Sequence, residues 1–434
     1  MSELPVVVVG AGPIGLATAA HLLERGLRPL VLEAGDQAGA AVAQWHHVRL
    51  FSPWSELVDP AARRLLERTG WTAPDGSGYP TGAEWAARYL VPLAEALGEH
   101  VRVGARVVGA ARRGRDRVVD AGRDSEPLTV HVETADGEER ITARALVDAS
   151  GTWTSPNPLG GDGLPAVGER AAADRITYRI PDLARDAERY AGKRVAVAGS
   201  GHSALTALIA LTGLPGTHVT WLLRRGAVGN AFGGGAADQL PARGALGMKA
   251  REAVQAGRVT VVTGFRTAVV ERVDEQVVLV SQDGHRLDPV DEVVVLTGFR
   301  PDLSWLSEVR LELDPVLQAP TRLAGLVDPN VHSCGTVYPH GANELRHPEP
   351  GVYLVGMKSY GRAPTFLALT GYEQVRSVVA EVAGDHEAAA KVELTLPETG
   401  VCGGSGVFDV AQPASSGGCC GALPAVEVLT LSAR

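Results

Sequence analysis

The chain has 434 residues, 45% of them hydrophobic, and its 41 Lys+Arg against 50 Asp+Glu give a formal net charge of −9 at pH 7. An acidic chain lacks the basic face that binds a nucleic-acid backbone, so we expect no nucleic acid among its partners. No uninterrupted apolar stretch reaches about 18 residues, which excludes a membrane-spanning helix. The segment Met1–Gly10 lacks the basic region and cleavage site of a signal peptide, so we expect a cytoplasmic protein.

The first predicted elements are a strand, a glycine turn, a helix and a second strand. The turn lies between Val6–Val9 and Leu16–Leu23, and its sequence is Gly10-Ala11-Gly12-Pro13-Ile14-Gly15. In such a unit the first glycine permits the tight turn, the second lets a pyrophosphate approach the backbone, and the third lets helix and strand pack closely. The second strand ends at Glu33, with Ala34 after it, where a carboxylate accepts hydrogen bonds from ribose hydroxyls. The sequence therefore predicts a dinucleotide site.

A second unit of the same kind begins at Arg194–Ala198. Its turn has alanine as the third small residue and reads Gly199-Ser200-Gly201-His202-Ser203-Ala204. Where the first unit has Glu33, this one has Arg224 and Arg225, and two guanidiniums suit a 2′-phosphate. This favours NADP(H) over NAD(H). One site with Glu and one with Arg-Arg imply a bound FAD and a visiting NADPH, with hydride transfer from NADPH to FAD.

The repeat continues after each unit. Asp136-Gly137 and Asp283-Gly284 are hairpin signals, and each glycine precedes a further glycine, Gly151 or Gly298, by 14 residues. Matching spacing in two otherwise dissimilar stretches predicts two domains of one α/β architecture. Ser150, beside Gly151, joins the predicted FAD site, and Gly298 joins the predicted NADPH site.

Both glycine loops, the turn Thr297–Pro301 and the overall length resemble the two-dinucleotide-binding-domain flavoproteins, which include thioredoxin and glutathione reductases and flavin-containing monooxygenases. More narrowly, several segments resemble monooxygenase-like and thioredoxin reductase-like flavoproteins of bacterial arsenic-resistance operons: 45–54, 332–335, 355–364, 396–402 and 419–421. We therefore expect two Rossmann-like domains. The FAD domain consists of residues 1–157 and 320–388, the NADPH domain of residues 158–319 is inserted into it, and residues 389–434 form a flexible tail.

The resemblance also implies particular cofactor contacts. Trp45, Arg49 and Leu50 are candidates for the flavin ring, although a core tryptophan and a surface arginine would explain them too. Gly356-Met357 resembles the segment that opens a helix toward the flavin, and Val107 lies where family members contact adenine. The candidate catalytic residues are Arg49, Met357 and Tyr360. His46 and His47 are candidates for an acid or base beside the flavin, and His202 lies inside the second turn. The alternative interpretation for each is a structural role or a position next to the phosphates.

Two features of the related enzymes are missing. Disulfide reductases need a dithiol beside the flavin, but no cysteine precedes Cys334. The monooxygenase fingerprint FxGxxxHxxxY/F is absent between the two domains, because residues 161–178 contain no histidine. The absence of these two features does not affect the predicted reduction of FAD by NADPH.

The remaining cysteines lie in the predicted tail. Cys402, Cys419 and Cys420 could converge on arsenite or another thiophilic ion, since soft thiolates select such ions. One alternative is an unstructured tail whose thiols have no function. The other is a dithiol that exchanges with a thioredoxin-like partner. Cys334 is interpreted as a small buried hydrophobe.

The leading hypothesis is an NADPH-dependent FAD monooxygenase linked to arsenic resistance, which acts on a small molecule such as an arsenical. The first alternative is a thioredoxin reductase-like enzyme that passes electrons through the tail thiols to a metalloid or a partner disulfide. An alternative of another class is a thiol-based metalloid-binding protein. We expect no membrane partner, and a homodimer is compatible with the sequence.

Overall fold

A computed structural model describes residues 4–238, 240–331, 340–364 and 366–394. The strands of this part of the chain are β1 (Val6–Val9), β2 (Pro29–Leu32), β3 (Val101–Arg102), β4 (Arg106–Arg112), β5 (Leu128–Thr134), β6 (Gly137–Ala143), β7 (Ala145–Asp148), β8 (Ile176–Thr177), β9 (Arg194–Ala198), β10 (His218–Leu222), β11 (Val259–Val262), β12 (Thr267–Val273), β13 (Gln276–Ser281), β14 (Glu292–Val295) and β15 (Val352–Leu354).

The α-helices are α1 (Pro13–Glu24), α2 (Ala40–Ala43), α3 (Trp54–Leu57), α4 (Pro60–Glu67), α5 (Gly82–Trp85), α6 (Val91–Leu97), α7 (Leu183–Tyr190), α8 (His202–Thr212), α9 (Pro241–Gln255), α10 (Thr321–Val327), α11 (Ala342–Leu345), α12 (Ala368–Ala383) and α13 (His386–Ala390). A π-helical segment, Ala86–Leu90, joins α5 to α6. None of the helices in the described ranges is long and apolar enough to cross a lipid bilayer.

Two parallel sheets form the framework and confirm the predicted α/β class. The first has the strand order β15-β7-β1-β2-β3 and the second the order β11-β10-β9-β14-β8. Strand β15 follows all strands of the second sheet in the chain, yet it pairs with β7 of the first sheet. The first sheet is therefore assembled from two separated pieces of chain. The limits assigned to the domains stay a prediction.

Each parallel sheet is covered on both faces, which explains the all-apolar strand β1. Val6 and Val8 pack in a core with helices α1 and α12, whereas Val7 and Val9 pack against the antiparallel sheet β4-β5-β6. In the second sheet, Val195 and Val197 face α8 and α9, and the alternate residues of β9 face the ribbon β12-β13. A strand buried on both faces needs apolar side chains at every position.

A buried ion cluster joins the antiparallel sheet to the segment before β15. Glu349 is 1% exposed and accepts hydrogen bonds from Arg112 Nε at 2.6 Å and Arg123 Nη2 at 2.6 Å. The backbone N–H of Arg310 also donates to Glu349, at 3.2 Å. The run Arg112–Arg117 resembles a solvated basic loop in the sequence, but Arg112 is only 4% exposed. Its partner lies 237 residues away in the chain, so the basic run by itself does not indicate this pair.

We expect this cluster to make stability depend on pH. Burial raises the pKa of Glu349, but hydrogen bonds from Arg123 and Arg112 outweigh it and hold the pKa below its ordinary value. A carboxyl with a lowered folded pKa stabilises the fold above its unfolded pKa of about 4.3, and this contribution is lost as the pH falls through the folded pKa. In urea unfolding between about pH 5 and pH 3, Glu349→Gln should therefore show a shallower fall of unfolding free energy than the parent chain. Equal slopes in the two proteins would contradict the prediction.

Candidate functional site

The two glycine turns have the same geometry at the carboxyl ends of β1 and β9. Gly10 and Gly199 have φ values of +96° and +133°, which L-residues rarely adopt. A Cβ on Gly15 would lie 1.9 Å from the Gly10 carbonyl oxygen, so α1 and its strand approach too closely for a side chain. A Cβ on Gly12 or Gly201 would meet nothing within 4 Å among the described residues. The backbone at these two glycines is open to a ligand.

The strand after each turn lies beside it through matching hydrogen bonds. The N–H of Gly10 donates to the Leu32 carbonyl at 2.8 Å, and the N–H of Gly199 donates to the Leu222 carbonyl at 3.3 Å. By this register the counterpart of Glu33 is the buried Leu223, and Arg224 and Arg225 follow it directly at the same edge of the second sheet. The Glu33 carboxylate accepts from Ala11 N at 2.7 Å and from Gly35 N at 2.8 Å, which positions it next to the first turn.

A cavity of about 760 Å³ opens at the first turn. The residues predicted for the FAD site that line it are Gly10, Gly12, Pro13, Ile14, Glu33, Ala34, Arg49, Leu50, Val107, Ser150, Gly151, Gly356 and Met357. They come from the first turn, the ends of β2 and β7, the loop after α2, strand β4 and the segment after β15. The structure therefore brings together segments that are far apart in the sequence.

Three predicted residues do not line this cavity. Gly15 lies beneath the turn, where it allows the close packing described above. The Trp45 ring packs on Trp85, 6.3 Å between centroids, and it is Trp85 that faces the cavity. Tyr360 is 1% exposed and contacts the rings of His340 and Phe366, and burial raises the pKa of its hydroxyl. Of the three catalytic candidates, Arg49 and Met357 reach the cavity and Tyr360 does not.

The expected helix at Gly356-Met357 differs from the observed structure. Gly356–Tyr360 is a short 3₁₀ helix that ends at Gly361, whose φ is +57° and whose Cβ would lie 2.0 Å from the Leu317 carbonyl oxygen. The next α-helix in the chain, α12, also reaches the cavity, through Leu367 and Ala368 at its start. The close approach at Gly361 leaves no room for the 3₁₀ turn to continue as an α-helix.

Sequence reasoning missed a buried ion pair in the cavity wall. The Lys358 Nζ lies 2.7 Å from Asp148 Oδ2 and donates a hydrogen bond to Ser150 Oγ at 2.9 Å. The Asp148 Oδ1 accepts from the backbone N–H and the hydroxyl of Ser150, at 3.0 and 2.6 Å. The Lys358 ammonium also lies 5.2 Å from the centre of the Trp305 ring. The only feature of the sequence that could have indicated this ion pair is Asp148, which ends the otherwise apolar strand β7.

The second turn contributes to the same cavity. His202, at the start of α8, lines it together with Leu240 and Arg243. The His202 ring lies 5.5 Å from the Phe51 ring, measured between centroids. Burial, followed by the charge of Arg243, lowers the pKa of His202 to about 4, so the imidazole is neutral at neutral pH. The Arg243 guanidinium is itself bound by the buried carboxylate of Asp238.

The remaining residues predicted for the NADPH site lie around the second turn. Ser203 is exposed and Ala204 is fully buried, as the close packing at this third small position requires. Gly298, with a φ of +93°, follows β14 next to the side chain of Asn157. The exposed Arg224 has a pKa lowered by desolvation and then by the charges of Arg225 and Arg266. Arg266 is thus a third cation at this edge that the sequence analysis did not name.

The predicted thiophilic site lies outside the described residues, as do all four cysteines: Cys334, Cys402, Cys419 and Cys420. The structure therefore leaves the roles proposed for these thiols as predictions.

Structural comparison places this fold among known flavoproteins. A bacillithiol disulfide reductase from Bacillus cereus aligns with a TM-score of 0.64 and 19% identity over 88% of this chain and 99% of its own. A flavin-containing monooxygenase from Stenotrophomonas maltophilia aligns with a TM-score of 0.55 and 23% identity, over 88% and 99% of the two chains. Identity at this level supports a shared fold.

Sequence comparison identifies the family. Ferredoxin–NADP reductase 1 from Cupriavidus necator is 28% identical over 314 residues, which is 70% of this chain and 74% of that protein. Indole-3-pyruvate monooxygenase YUCCA1 from Oryza sativa subsp. japonica is 32% identical over 200 residues, 46% of this chain and 43% of that protein. The family profile described as pyridine nucleotide-disulphide oxidoreductase matches residues 7–321. The chain is a flavoprotein oxidoreductase and belongs to the pyridine nucleotide-disulphide oxidoreductase family.

Proposed function

We propose that the protein is an NADPH-dependent FAD enzyme in which the first glycine turn holds FAD and the second admits NADPH. The observation that carries this proposal is the shared cavity: His202 of the second turn lines the same space as Gly12, Ser150 and Met357 of the first site. A nicotinamide ring that follows α8 into this cavity would meet the flavin ring. Bound FAD would supply the capacity to accept a hydride and to pass electrons on.

The residues present fit FAD. Gly12 begins α1 without a side chain, so N–H groups of the first helical turn can bind the pyrophosphate. Glu33 is held by two backbone N–H groups in the position of a ribose acceptor. The ammonium of Lys358 lies in the cavity wall and would favour negative charge on a reduced ring system.

The residues around the second turn fit NADPH. Gly201 begins α8 with open backbone, and Arg224, Arg225 and Arg266 concentrate positive charge at the edge where the 2′-phosphate of NADPH would lie. A neutral His202 would allow the approach of a nicotinamide without introducing a charge of its own.

An anaerobic titration of the purified protein with NADPH tests the proposal. We expect bleaching of the flavin absorbance by one equivalent of NADPH, and much slower bleaching by NADH. A protein that binds no flavin, or whose flavin is not bleached by either nucleotide, would contradict the proposal.

For the step after flavin reduction, we propose oxygen activation and oxygenation of a soft small molecule, such as a trivalent arsenical. The balanced reaction consumes NADPH, a proton and O₂, places one oxygen atom on the substrate and releases the other as water. The absence of any cysteine before Cys334 supports this proposal, because residues 1–333 contain no dithiol that could take the electrons. Similarity to monooxygenases also supports it.

A reductase is the second candidate, favoured by the ferredoxin–NADP reductases that match 70% of the chain. Admission of oxygen to the NADPH-reduced protein in a stopped-flow spectrometer separates the two. Oxygenation predicts a transient spectrum distinct from both oxidised and reduced flavin, together with labelled oxygen in the product. If the protein is a reductase, the reduced flavin should return directly to its oxidised spectrum, and electrons should pass rapidly to added ferredoxin or to a disulfide.

Matched glycine substitutions should separate the two nucleotide sites. We expect Gly12→Ala to lower FAD affinity at least about tenfold, because its methyl group would occupy the space of the pyrophosphate, which costs more than about 1.4 kcal/mol. Gly201→Ala should instead weaken NADPH and leave the FAD content unchanged. Neither position has a positive φ or a close neighbour, so the urea midpoint of the flavin-free protein should stay at the parent value. Equal FAD loss in both variants would contradict these assignments.

A further inference from the structure

Two histidines that follow the first strand–turn–helix–strand unit face a carboxylate that precedes the second. His46 and His47 lie in the loop after α2, and Asp182 precedes α7, which leads into β9 of the second sheet. One nitrogen from each histidine and one oxygen of Asp182 lie within 4.8 Å of one another. Neither histidine lines the cavity described above, although their neighbours Gln44 and Val48 do. This group is therefore separate from the flavin and nicotinamide contacts.

The hydrogen bonds of the three side chains leave one potential ligand atom without a hydrogen bond on each. The His46 Nδ1 lies 3.1 Å from the Ala43 carbonyl and the His47 Nε2 lies 3.2 Å from the Ile180 carbonyl. A carbonyl only accepts, so each of these nitrogens carries the proton and the other ring nitrogen presents its lone pair. The Asp182 Oδ1 accepts from the N–H of Ala184 at 3.2 Å, which leaves Oδ2.

The three remaining atoms are all acceptors. His46 Nε2 and Asp182 Oδ2 face each other at 3.3 Å, and two lone pairs at this distance repel unless a cation lies between them. The His47 Nδ1 is buried and has no hydrogen-bond partner in the described part of the chain. A second proton on His46 would give a hydrogen bond between His46 Nε2 and Asp182 Oδ2, but it would leave His47 Nδ1 without a partner. A metal ion would bind all three atoms. The nearby Asp186 is already bound on both oxygens by Arg185, at 2.8 Å each.

We propose that His46 Nε2, His47 Nδ1 and Asp182 Oδ2 bind a divalent transition-metal ion, with zinc as the ion that this set fits best. Tetrahedral zinc holds nitrogen and oxygen ligands at about 2.0–2.2 Å, which places neighbouring ligand atoms about 3.3 Å apart. The three backbone contacts orient the ligands in the way that outer partners of metal-binding histidines do. The His46 side chain is 45% exposed, which leaves the fourth position open to water.

The ion would join the two nucleotide-binding units beside the cavity. The same region already has a hydrogen bond from Trp153 to Gln44, at 3.0 Å, and a contact of Arg179 with the same Gln44 oxygen. Because His46 and His47 follow β2 of the first sheet and Asp182 precedes β9 of the second, the bound ion stabilises the observed arrangement of the two sheets and restricts movement of one against the other. By mass action, an ion that binds only the folded chain raises its thermal midpoint.

Zinc binding by the full-length, FAD-loaded chain tests the proposal. All four cysteines are replaced by serine so that thiolates do not contribute, and the chelator-treated protein is titrated calorimetrically with zinc chloride. We expect one zinc ion per chain and a zinc-dependent rise of the thermal midpoint. His47→Gln or Asp182→Asn should weaken binding at least about tenfold and abolish that rise. Asparagine still caps a helix, so Asp182→Asn keeps the start of α7.

His386→Gln is the matched control, because His386 forms a similar pair with Glu381, at 2.7 Å, and the residues that the structure describes offer this pair no third ligand. It should bind zinc like the cysteine-free parent. Flavin absorbance reports that each variant is folded. A cysteine-free chain that binds no zinc, or His47→Gln and Asp182→Asn variants that bind it as the parent does, would overturn the proposal.

Discussion

Replacing Lys358 by methionine should lower the free energy of unfolding by about 3–5 kcal/mol, because it leaves a buried carboxylate without its cation. Asp148 is 0% exposed and Lys358 is 1% exposed. The hydrogen bonds from Ser150 satisfy one carboxylate oxygen only, while the other depends on the Lys358 ammonium at 2.7 Å. Urea unfolding of the FAD-loaded protein measures the effect.

The double variant Asp148→Asn/Lys358→Met should recover most of this loss, since removing both charges removes the cost of the unpaired one. Lys391→Met is the matched control: Lys391 and Glu393 form an exposed pair at 3.3 Å, so its loss should change stability by less than about 0.5 kcal/mol. A Lys358→Met protein as stable as the control, or a double variant less stable than the single one, would show that the pair does not stabilise the wall of the cavity.

Removing both arginines after β10 should change the choice of nucleotide. We expect Arg224→Ala/Arg225→Ala to raise KM for NADPH about 100-fold or more and to leave KM for NADH nearly unchanged. Each charge-assisted hydrogen bond to a phosphate contributes about 1.5–3 kcal/mol, and NADH has no 2′-phosphate to lose such bonds. Steady-state kinetics with both nucleotides, or the rate of anaerobic flavin bleaching, measures the change.

Arg286→Ala serves as the control, because Arg286 lies in the same unit but is paired with Glu271 and exposed. It should leave both KM values at the parent level. The KM for NADPH should also rise with salt in the parent and much less in the double variant, since screening weakens the same contacts. If kcat/KM of the double variant fell equally for NADH and NADPH, the two arginines would be stabilising the fold rather than binding the phosphate.

Features that depend on short spacings could be predicted from the chain. The two turns at Gly10–Gly15 and Gly199–Ala204 were predicted correctly because the tight turn, the open backbone and the close packing each require a small residue at a fixed offset. The positions of Glu33 and Arg224 near the end of the second strand could be predicted because the strands of one unit follow each other closely in the chain. The helix expected to open at Gly356-Met357 was wrong, because this segment forms a 3₁₀ helix that ends at the close contact of Gly361.

Contacts between distant residues could not be predicted in this way. Lys358 and Ser150 lie 208 residues apart, and Arg112 and Glu349 lie 237 apart. His46 follows β2 of the first sheet, and Asp182 precedes β9 of the second. No periodicity or spacing rule relates such residues, because their separation in space is set by how β15 returns to the first sheet and how the second unit packs on the first.

The sequence by itself thus determined the class of fold, the two glycine turns and the opposite charges near them, since each of these follows from the local geometry of a strand, a turn and a helix. Only the tertiary structure decided that both turns open into one cavity, that Lys358 in its wall pairs with the buried Asp148, that Tyr360 lies in the core, and that two histidines meet Asp182. Burial, charge pairing and the joining of sites arise from packing between distant segments, and a linear pattern does not encode packing at that range.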